Sequence, residues 1–363
     1  MTATSIDLWG PFLAALIVAA LVTPISIKIA PKIGAMDIPK DERRMHNKAM
    51  PRFGGVAIYA GIMVSLAGFA LDDTGVISIM VGCTMIYILG LIDDIKNLKP
   101  LIKLAGQLIC AAALYFQGIR IEFVTNYFGD GNMIFGDVAC FLMTVLWIVA
   151  ITNAVNLIDG LDGLAAGIAA ISALCIGYVA YIHGQYTTTL AMMVIAGAAL
   201  GFLPFNFHPA KTFMGDGGSQ LLGFSIAAFS ILGTVKSTTI VVVIIPALVL
   251  GLPIFDTLMA IVRRTLRRQS FATADKEHLH HRIMKAGYGQ KRAVMLMYCI
   301  SGIMGIVAVL YSRGFVIEYL GLIAVAAMLI YVLLTDTSNR NVNVRGSKIT
   351  NEKKEIKKNQ KSE

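Results

Sequence analysis

Four polar side chains follow one another at three-residue intervals in the segment TNAVNLIDGLDG, at Asn153, Asn156, Asp159 and Asp162. The segment lies between two long apolar stretches, as expected at a bilayer boundary. A carboxylate at helix-centre depth in a bilayer costs ~2.5–3.5 kcal/mol, so such residues are functional candidates. We interpret the segment as a polar wall that can bind a nucleobase, a sugar or a metal ion. Hydrogen bonding between helices is the alternative for the asparagines.

Three further aspartates lie where a divalent cation or a phosphate can be held. Asp93 and Asp94 follow an apolar stretch in LIDDIKNLKPLIK, and Asp216 lies in FMGDGGS at the start of another. Adjacent carboxylates suit one metal ligand and one base, and a helix N-terminus presents free amides to an anion. We predict a metal role for Asp216. For the pair, the alternative is a solvated helix end that caps the next helix.

Basic residues and one aromatic residue accompany these acids in the same set of loops. The histidines of EHLHHR lack cysteine or acidic companions at zinc-type spacing apart from Glu277, so phosphate binding is the better interpretation. A basic loop is equally expected on the cytoplasmic side of a membrane. Asp256, inside an apolar stretch, is expected to pair with a basic residue such as Arg263 or to line a cavity. The candidate phosphate or substrate contacts are Lys48, Lys103, Phe213, His280, His281 and Arg282.

The elements that position these residues are apolar stretches. The chain has 363 residues, of which 56% are hydrophobic and only 15% charged, against about a quarter charged in soluble domains. This composition excludes an ordinary soluble domain and predicts an all-α polytopic membrane protein. We count eleven apolar stretches as spans, of which the fifth is short, at residues 8–30, 53–71, 76–92, 101–119, 138–151, 164–183, 188–206, 218–235, 238–262, 293–311 and 315–335.

The loop charges predict the orientation. With the N-terminus outside and the C-terminus in the cytoplasm, all but Arg120, Lys236 and Arg313 of the 31 basic residues fall on the inner side or in the tail. All the candidate residues then share the inner face, whereas Asp72 and Asp73 lie outside. Between residues 120 and 137 we predict a short outer β-hairpin. Residues 1–335 form one integral domain, and residues 336–363 form a basic, disordered cytoplasmic tail.

The ordered set of motifs HNKxMPRFGG, DDxxNL, TNAVNLIDGLDGL, FMGDGGS, PxFDT and HLHHR resembles the polyprenyl-phosphate N-acetylhexosamine-1-phosphate transferases, a glycosyltransferase family 4 group. The resemblance extends from residue 31 to about residue 292. The related phospho-N-acetylmuramoyl-pentapeptide transferases have three consecutive histidines followed by Phe-Glu. This chain has His280, His281 and Arg282 instead, which favours the branch that uses UDP-N-acetylglucosamine.

The resemblance implies transfer of N-acetylglucosamine 1-phosphate from UDP-N-acetylglucosamine to undecaprenyl phosphate at the cytoplasmic face of the plasma membrane. The products are UMP and a lipid-linked diphosphosugar, the first intermediate of a wall teichoic acid, an O-antigen or a related glycopolymer. The expected cofactor is Mg²⁺, with Mn²⁺ as a substitute. The expected partners are the two substrates and membrane lipid, without nucleic acid, and a homodimer is compatible with them.

The resemblance also implies roles for individual residues. Asp216 matches the metal-binding aspartate, and we expect Asp94 to be a second metal ligand. Asp93 is expected to orient or deprotonate the lipid phosphate. Nucleotide recognition falls to Asn153, Asn156 and Asp159, and phosphate contacts fall to Lys48, Lys103, His280, His281 and Arg282.

Other functions also fit parts of the sequence. The same reaction with another UDP-N-acetylhexosamine or with UDP-MurNAc-pentapeptide is one alternative. A transporter of an anionic or nucleotide solute is another, although transporters usually bind their substrates near the bilayer midplane. Here the polar motifs gather at one interface, and their number also argues against a non-catalytic scaffold.

Overall fold

The computed structural model describes residues 8–37, 49–125, 132–235, 241–266, 279–285, 287–315 and 323. Within these residues the chain is mostly helical. The helices are α1 (Trp9–Ile33), α2 (Gly55–Phe69), α3 (Thr74–Lys96), α4 (Pro100–Phe116), α5 (Asp137–Ile158), α6 (Leu164–Ile182), α7 (Tyr186–Asn206), α8 (Gly215–Val235), α9 (Val241–Val249), α10 (Gly251–Leu266), α11 (Leu279–Lys285) and α12 (Gln290–Ser312).

Two short antiparallel strand pairs interrupt the helices. Strand β1 (Met36–Asp37) pairs with β2 (Met50–Pro51), and β3 (Phe123–Thr125) pairs with β4 (Asn132–Ile134). The second pair confirms the hairpin predicted between residues 120 and 137. The first pair was not predicted, and it fixes the chain just before Arg52.

Six of the described helices are long and apolar enough to cross a membrane, namely α1, α3, α5, α6, α7 and α12. They contain between 19 and 25 residues, and a helix needs ~20 residues to span the hydrocarbon core. Helices α2 and α4 are apolar but shorter. These helices indicate a membrane protein. The predicted stretch 315–335 falls almost wholly outside the described residues.

The ninth predicted stretch, at residues 238–262, is not one continuous helix. It divides at Leu250 into α9 and α10. Pro253 has no N–H to donate to the carbonyl of Val249, and Gly251 beside it has low helix propensity. The backbone resumes with a hydrogen bond from Ile254 N–H to the Leu250 carbonyl at 3.0 Å.

Helix α8 forms the centre of the core, with its apolar side chains almost wholly buried between α2, α3, α5 and α7. In its first turn, glycines lie where α8 contacts α2 and α3. A Cβ on Gly90 of α3 would lie 2.5 Å from the Cα of Gly217, and one on Gly55 of α2 would lie 2.5 Å from the Gly218 nitrogen. These glycines allow the N-terminus of α8 to lie directly against the ends of α2 and α3, where the site residues are found.

Helices α1 and α7 also pack at close range through small residues. Gly197 and Gly201 are four residues apart on α7, the spacing that lets membrane helices approach closely. A Cβ on Gly201 would lie 2.2 Å from the carbonyl oxygen of Leu16, and one on Gly197 would lie 2.3 Å from that of Phe12. Both contacts are with backbone oxygens of α1, so a Cβ at either glycine could be accommodated only if the helices moved apart.

We therefore expect Gly201→Ala to destabilise the protein by ~1–3 kcal/mol, the usual cost of overpacking. Gly68→Ala is the matched control, since Gly68 is also helical but a Cβ there meets nothing within 4 Å. Thermal unfolding of the purified protein in detergent should show a lower Tm for Gly201→Ala and an unchanged or higher Tm for Gly68→Ala. Equal Tm values for the two variants would contradict this packing.

Candidate active site

The carboxylate of Asp216, in the first turn of α8, lies at the centre of the site. Its Oδ1 accepts hydrogen bonds from Lys103 Nζ at 2.6 Å and from Asn156 Nδ2 at 2.7 Å. Its Oδ2 forms an ion pair with Arg52. Together with Asp93 and Asp94, these residues are called the Asp216 cluster below. They come from five different parts of the chain.

Asp94, at the end of α3, holds the start of α8. Its Oδ1 accepts the N–H of Asp216 at 2.7 Å, and its Oδ2 accepts the N–H of Gly217 at 2.9 Å. These are two of the N–H groups that a helix leaves without partners at its N-terminus. Gly215 has a φ of 72°, which favours glycine, and a Cβ there would lie 2.4 Å from Asp94 Oδ2. Asp94 therefore fixes the position of Asp216 through the backbone.

Asp93 is nearly buried and also has both carboxylate oxygens in use. Oδ1 accepts the N–H of Leu98 at 2.7 Å, which closes the turn after α3. Oδ2 forms an ion pair with Lys103 Nζ at 3.0 Å. The same ammonium group contacts Asn156 Oδ1 at 3.0 Å. Asp93 thus directs Lys103 towards Asp216.

Arg52 reaches the cluster because two loops pair through their backbones. Phe213 N–H donates to the Pro51 carbonyl at 2.8 Å, and its own carbonyl accepts from Gly54 N–H at 2.9 Å. The guanidinium Nε then contacts Asp94 Oδ1 at 3.0 Å while another nitrogen contacts Asp216. Phe213, predicted as a substrate contact, uses its backbone to position Arg52.

The polar wall divides into residues with different surroundings. Asn156 joins the Asp216 cluster and also donates to Ser219 Oγ at 2.8 Å. Asn153 lies one turn deeper in the bundle, where its Nδ2 donates to Gln107 Oε1 at 2.6 Å. Asp162 faces a different loop, accepting from Ala210 N–H at 3.2 Å and contacting His208 Nδ1 at 2.7 Å. The four residues therefore do not form one continuous ligand surface.

Asp159 caps the C-terminus of α5 beside the cluster. Burial, and after it the negative charge of Asp216, raise the pKa of Asp159 to about 7. Burial lowers the pKa of Arg52, but the carboxylates of Asp94 and Asp216 outweigh it, so that the pKa of Arg52 is raised. Arg52 therefore stays protonated, and the carboxylates around it carry more negative charge than it neutralises.

The histidine motif is only partly described. Helix α11 carries His280 and His281, whose side chains lie outside the described part of the structure, and Arg282, which is half-buried. The N–H of Leu279 at its start donates to Oδ1 of the buried Asp256 at 2.9 Å. Asp256 therefore anchors α11 to α10. Lys48 lies outside the described residues.

The donor set of the cluster fits a divalent cation. The cluster contains the carboxylates of Asp93, Asp94 and Asp216, and Asp159 lies beside it. Among the described residues two cations, Arg52 and Lys103, accompany these four carboxylates, which leaves an excess of negative charge. All of these ligand atoms are oxygens, the type that Mg²⁺ prefers. Within the described residues no group of three or more His, Cys, Asp or Glu side chains is arranged to hold a metal alone. Mg²⁺ usually completes its coordination with substrate phosphates and water, so few protein ligands are needed.

Sequence reasoning left three contacts unassigned. Arg52 lies in the motif HNKxMPRFGG, but its pairing with Asp216 joins residues 164 positions apart in the chain. Ser219 and Gln107 are single polar residues within apolar helices, and nothing in the surrounding sequence marks them as part of the site. Only the RFGG sequence around Arg52 offered a signal, since glycines allow close backbone approach.

The raised pKa of Asp159 predicts a specific dependence of stability on pH. Between pH 4 and about 7 the folded state binds more protons at this carboxyl group than the unfolded state, so the free energy of unfolding falls as pH rises through this range. In Asp159→Asn the free energy of unfolding should fall less steeply with pH. Thermal unfolding from pH 5 to pH 8 in the presence of a chelator measures both slopes, and parallel curves would show that Asp159 titrates normally.

Comparisons with known proteins agree with the resemblance noted in the sequence. The model of "Glycosyl transferase family 4" matches residues 76–234, which include most of the Asp216 cluster. A relative from Bacillus subtilis (strain 168), "Probable undecaprenyl-phosphate N-acetylglucosaminyl 1-phosphate transferase", is 39% identical over 322 residues, covering 88% of this chain and 89% of the relative.

Two further relatives are more distant. The "Decaprenyl-phosphate N-acetylglucosaminephosphotransferase" of Mycolicibacterium smegmatis is 36% identical over 84% of this chain and 83% of its own length. The "Undecaprenyl-phosphate alpha-N-acetylglucosaminyl 1-phosphate transferase" of Escherichia coli (strain K12) is 28% identical over 85% and 83%, respectively. Given this identity over most of its length, the chain belongs to glycosyl transferase family 4, among the polyprenyl-phosphate N-acetylglucosaminyl 1-phosphate transferases.

Proposed function

We propose that this protein transfers N-acetylglucosamine 1-phosphate from UDP-N-acetylglucosamine to undecaprenyl phosphate. The products are undecaprenyl-diphospho-N-acetylglucosamine and UMP. The observation that supports this most strongly is the Asp216 cluster, in which two cations and an amide converge on one carboxylate at one end of a membrane-type helix bundle. The names of the relatives support the same type of reaction.

The reaction exchanges one phosphoanhydride bond for another. An oxygen of the lipid phosphate attacks the phosphorus next to the sugar, and the bond from that phosphorus to the bridging oxygen breaks, releasing UMP. Such transfers depend on positioning two anions in line and stabilising the charge that develops. Arg52 and Lys103 can supply this charge, because Asp216 holds both of them at the place where the diphosphate would bind.

We propose Asp216 as the main protein ligand of Mg²⁺, with Mn²⁺ able to replace it. When bound, the ion would neutralise diphosphate oxygens and help to balance the carboxylates around it. We also propose Asp94 as the second ligand. Both of its oxygens already accept N–H groups at the start of α8. Asp93 would act by directing Lys103 to the phosphate, in keeping with its ion pair.

A separate base is helpful to this reaction but not essential. The second pKa of a phosphate monoester is near 6, so much of the lipid phosphate is already a dianion at pH 7. This favours direct attack by the lipid phosphate over a covalent aspartyl phosphate. A phosphorylated enzyme trapped with UDP-N-acetylglucosamine in the absence of lipid would contradict direct attack.

Substrate recognition is proposed for the remaining residues of the site. Asn156 and Asp159 would contact the nucleotide or the sugar, with Phe213 beside them. Asn153 belongs to the same proposed set, but its contact with Gln107 favours a supporting role. Lys48, His280, His281 and Arg282 would meet phosphate groups. The His-His-Arg sequence favours UDP-N-acetylglucosamine over UDP-MurNAc-pentapeptide, and the polymer started would be of the wall teichoic acid or O-antigen type.

We further propose eleven membrane crossings, with the N-terminus outside, the C-terminus in the cytoplasm and the site on the cytoplasmic face of the plasma membrane. The distribution of basic residues supports this orientation. Asp72 lies just before α3 and Lys96 is its last residue, and the 23 residues of α3 extend about 34 Å at 1.5 Å per residue. In a cysteine-free background, an impermeant maleimide should label Asp72→Cys in intact cells and Lys96→Cys only after permeabilisation. The reverse pattern would invert the proposed topology.

Membranes containing the protein should convert UDP-N-acetylglucosamine and undecaprenyl phosphate into chloroform-soluble sugar in the presence of Mg²⁺. We expect Asp216→Asn to lower the rate by about 100-fold or more, as the loss of one transition-state contact often does. Asp72→Asn is the matched control, because this exposed carboxylate lies at the other end of α3. Equal rates for wild type and Asp216→Asn would contradict the proposal, and decaprenyl phosphate in a parallel assay tests the choice of lipid.

A further inference from the structure

A second polar layer lies one helical turn deeper in the bundle than the Asp216 cluster. Gln107 is four residues after Lys103 on α4, Asn153 is three residues before Asn156 on α5, and Gln220 is four residues after Asp216 on α8. Gln107 Nε2 donates to Gln220 Oε1 at 2.9 Å, and Asn153 Nδ2 donates to Gln107 Oε1 at 2.6 Å. Gln107, Asn153 and Gln220 are called the amide layer below. It joins the same three helices as Lys103, Asn156 and Asp216.

The direction of every amide in this layer is fixed by one backbone carbonyl. Asn153 Nδ2 also donates to the carbonyl of Val149 at 2.8 Å, so this atom must be the nitrogen. It then requires the oxygen of Gln107 opposite it, which leaves Gln107 Nε2 to face the oxygen of Gln220. The chain of hydrogen bonds therefore has a single consistent arrangement.

The amide layer is buried and incompletely paired. Gln107 is 2% exposed and Gln220 is fully buried. The Nε2 of Gln220 has no hydrogen-bond partner among the described residues. A buried donor without an acceptor costs ~1–3 kcal/mol, whereas two apolar groups of the same shape can be neutral or stabilising. Stability alone therefore does not account for these three amides.

Helix α4 has few apolar contacts around Lys103, because Leu101 and Leu104 are at least 40% exposed. Its buried apolar side chains lie further along the helix, at Cys110, Ala111, Leu114 and Tyr115. Yet this helix carries Lys103, whose long flexible side chain must meet Asp216. Apolar contacts allow a helix to slide or rotate slightly, while hydrogen bonds between side chains fix its register.

We propose that Gln107 and Gln220 are positioning residues, which hold α4 in register on α8 so that Lys103 meets the reacting phosphates. Asn153 completes the layer by fixing the direction of Gln107. This inference rests on the proposed function, because it assigns the amide layer to that reaction. It adds residues that act through Lys103 without touching the substrate.

The test compares Gln107→Leu, Gln220→Leu and the double variant in the full-length protein. Gln117→Leu is the matched control, since Gln117 is exposed at the other end of α4 and bonds only within its own helix turn. We expect the double variant to keep the Tm of the wild type but to lose about tenfold in kcat for formation of lipid-linked sugar, a change equivalent to ~1.4 kcal/mol in activation free energy. Gln117→Leu should retain both values.

A second measurement separates positioning from a structural role. Lys103→Met is introduced into the wild type and into the double variant. If the amide layer acts through Lys103, Lys103→Met lowers kcat by a smaller factor in the double variant than in the wild type. Equal factors in the two backgrounds, or a double variant with wild-type kcat, would overturn the inference and leave the proposed function standing. If the wild type makes no lipid-linked sugar, both the inference and the proposed function are contradicted.

Discussion

The structure depends on keeping one carboxylate, that of Asp216, at the buried start of a central helix. A charge in such a place is stable only if partners are brought to it, because an uncompensated buried charge costs several kcal/mol. Asp94 supplies the geometry by binding the first N–H groups of α8, and Arg52 and Lys103 supply the opposite charge. The close packing of Gly90 on Gly217 makes this arrangement sterically feasible.

This arrangement also suits the phosphate chemistry that we propose. Before substrates bind, the cations are held by carboxylates and are already pointed at one place, so little reorganisation is needed when phosphate oxygens arrive. The carboxylates exceed the cations among the described residues, and the raised pKa of Asp159 is one sign of this excess. A divalent cation brought by the substrate diphosphate would restore the balance. The supporting amides and backbone contacts then determine where each charge lies.

The sequence predicted the membrane class, the hairpin and most of the residues that gather around Asp216. Composition and spacing are sufficient for these, because apolar length and isolated carboxylates are local signals. The break at Leu250 was missed because hydropathy remains high across it, although Pro253 offered a cue. The ion pair of Arg52 with Asp216 could not be predicted, since it depends on backbone pairing between two distant loops. Asp162 and Asp256 prove to hold a loop and a helix, respectively, roles that spacing alone does not reveal.

The central claim, that Asp216 holds the divalent cation, is tested most directly by Mn²⁺ binding. Electron paramagnetic resonance of the full-length protein in lipid nanodiscs, with UDP-N-acetylglucosamine present, measures the fraction of bound Mn²⁺ at each concentration. We predict at least about tenfold weaker binding in Asp216→Asn, or ~1.4 kcal/mol, and no change in Asp72→Asn. Identical binding curves for the wild type and Asp216→Asn would contradict the account.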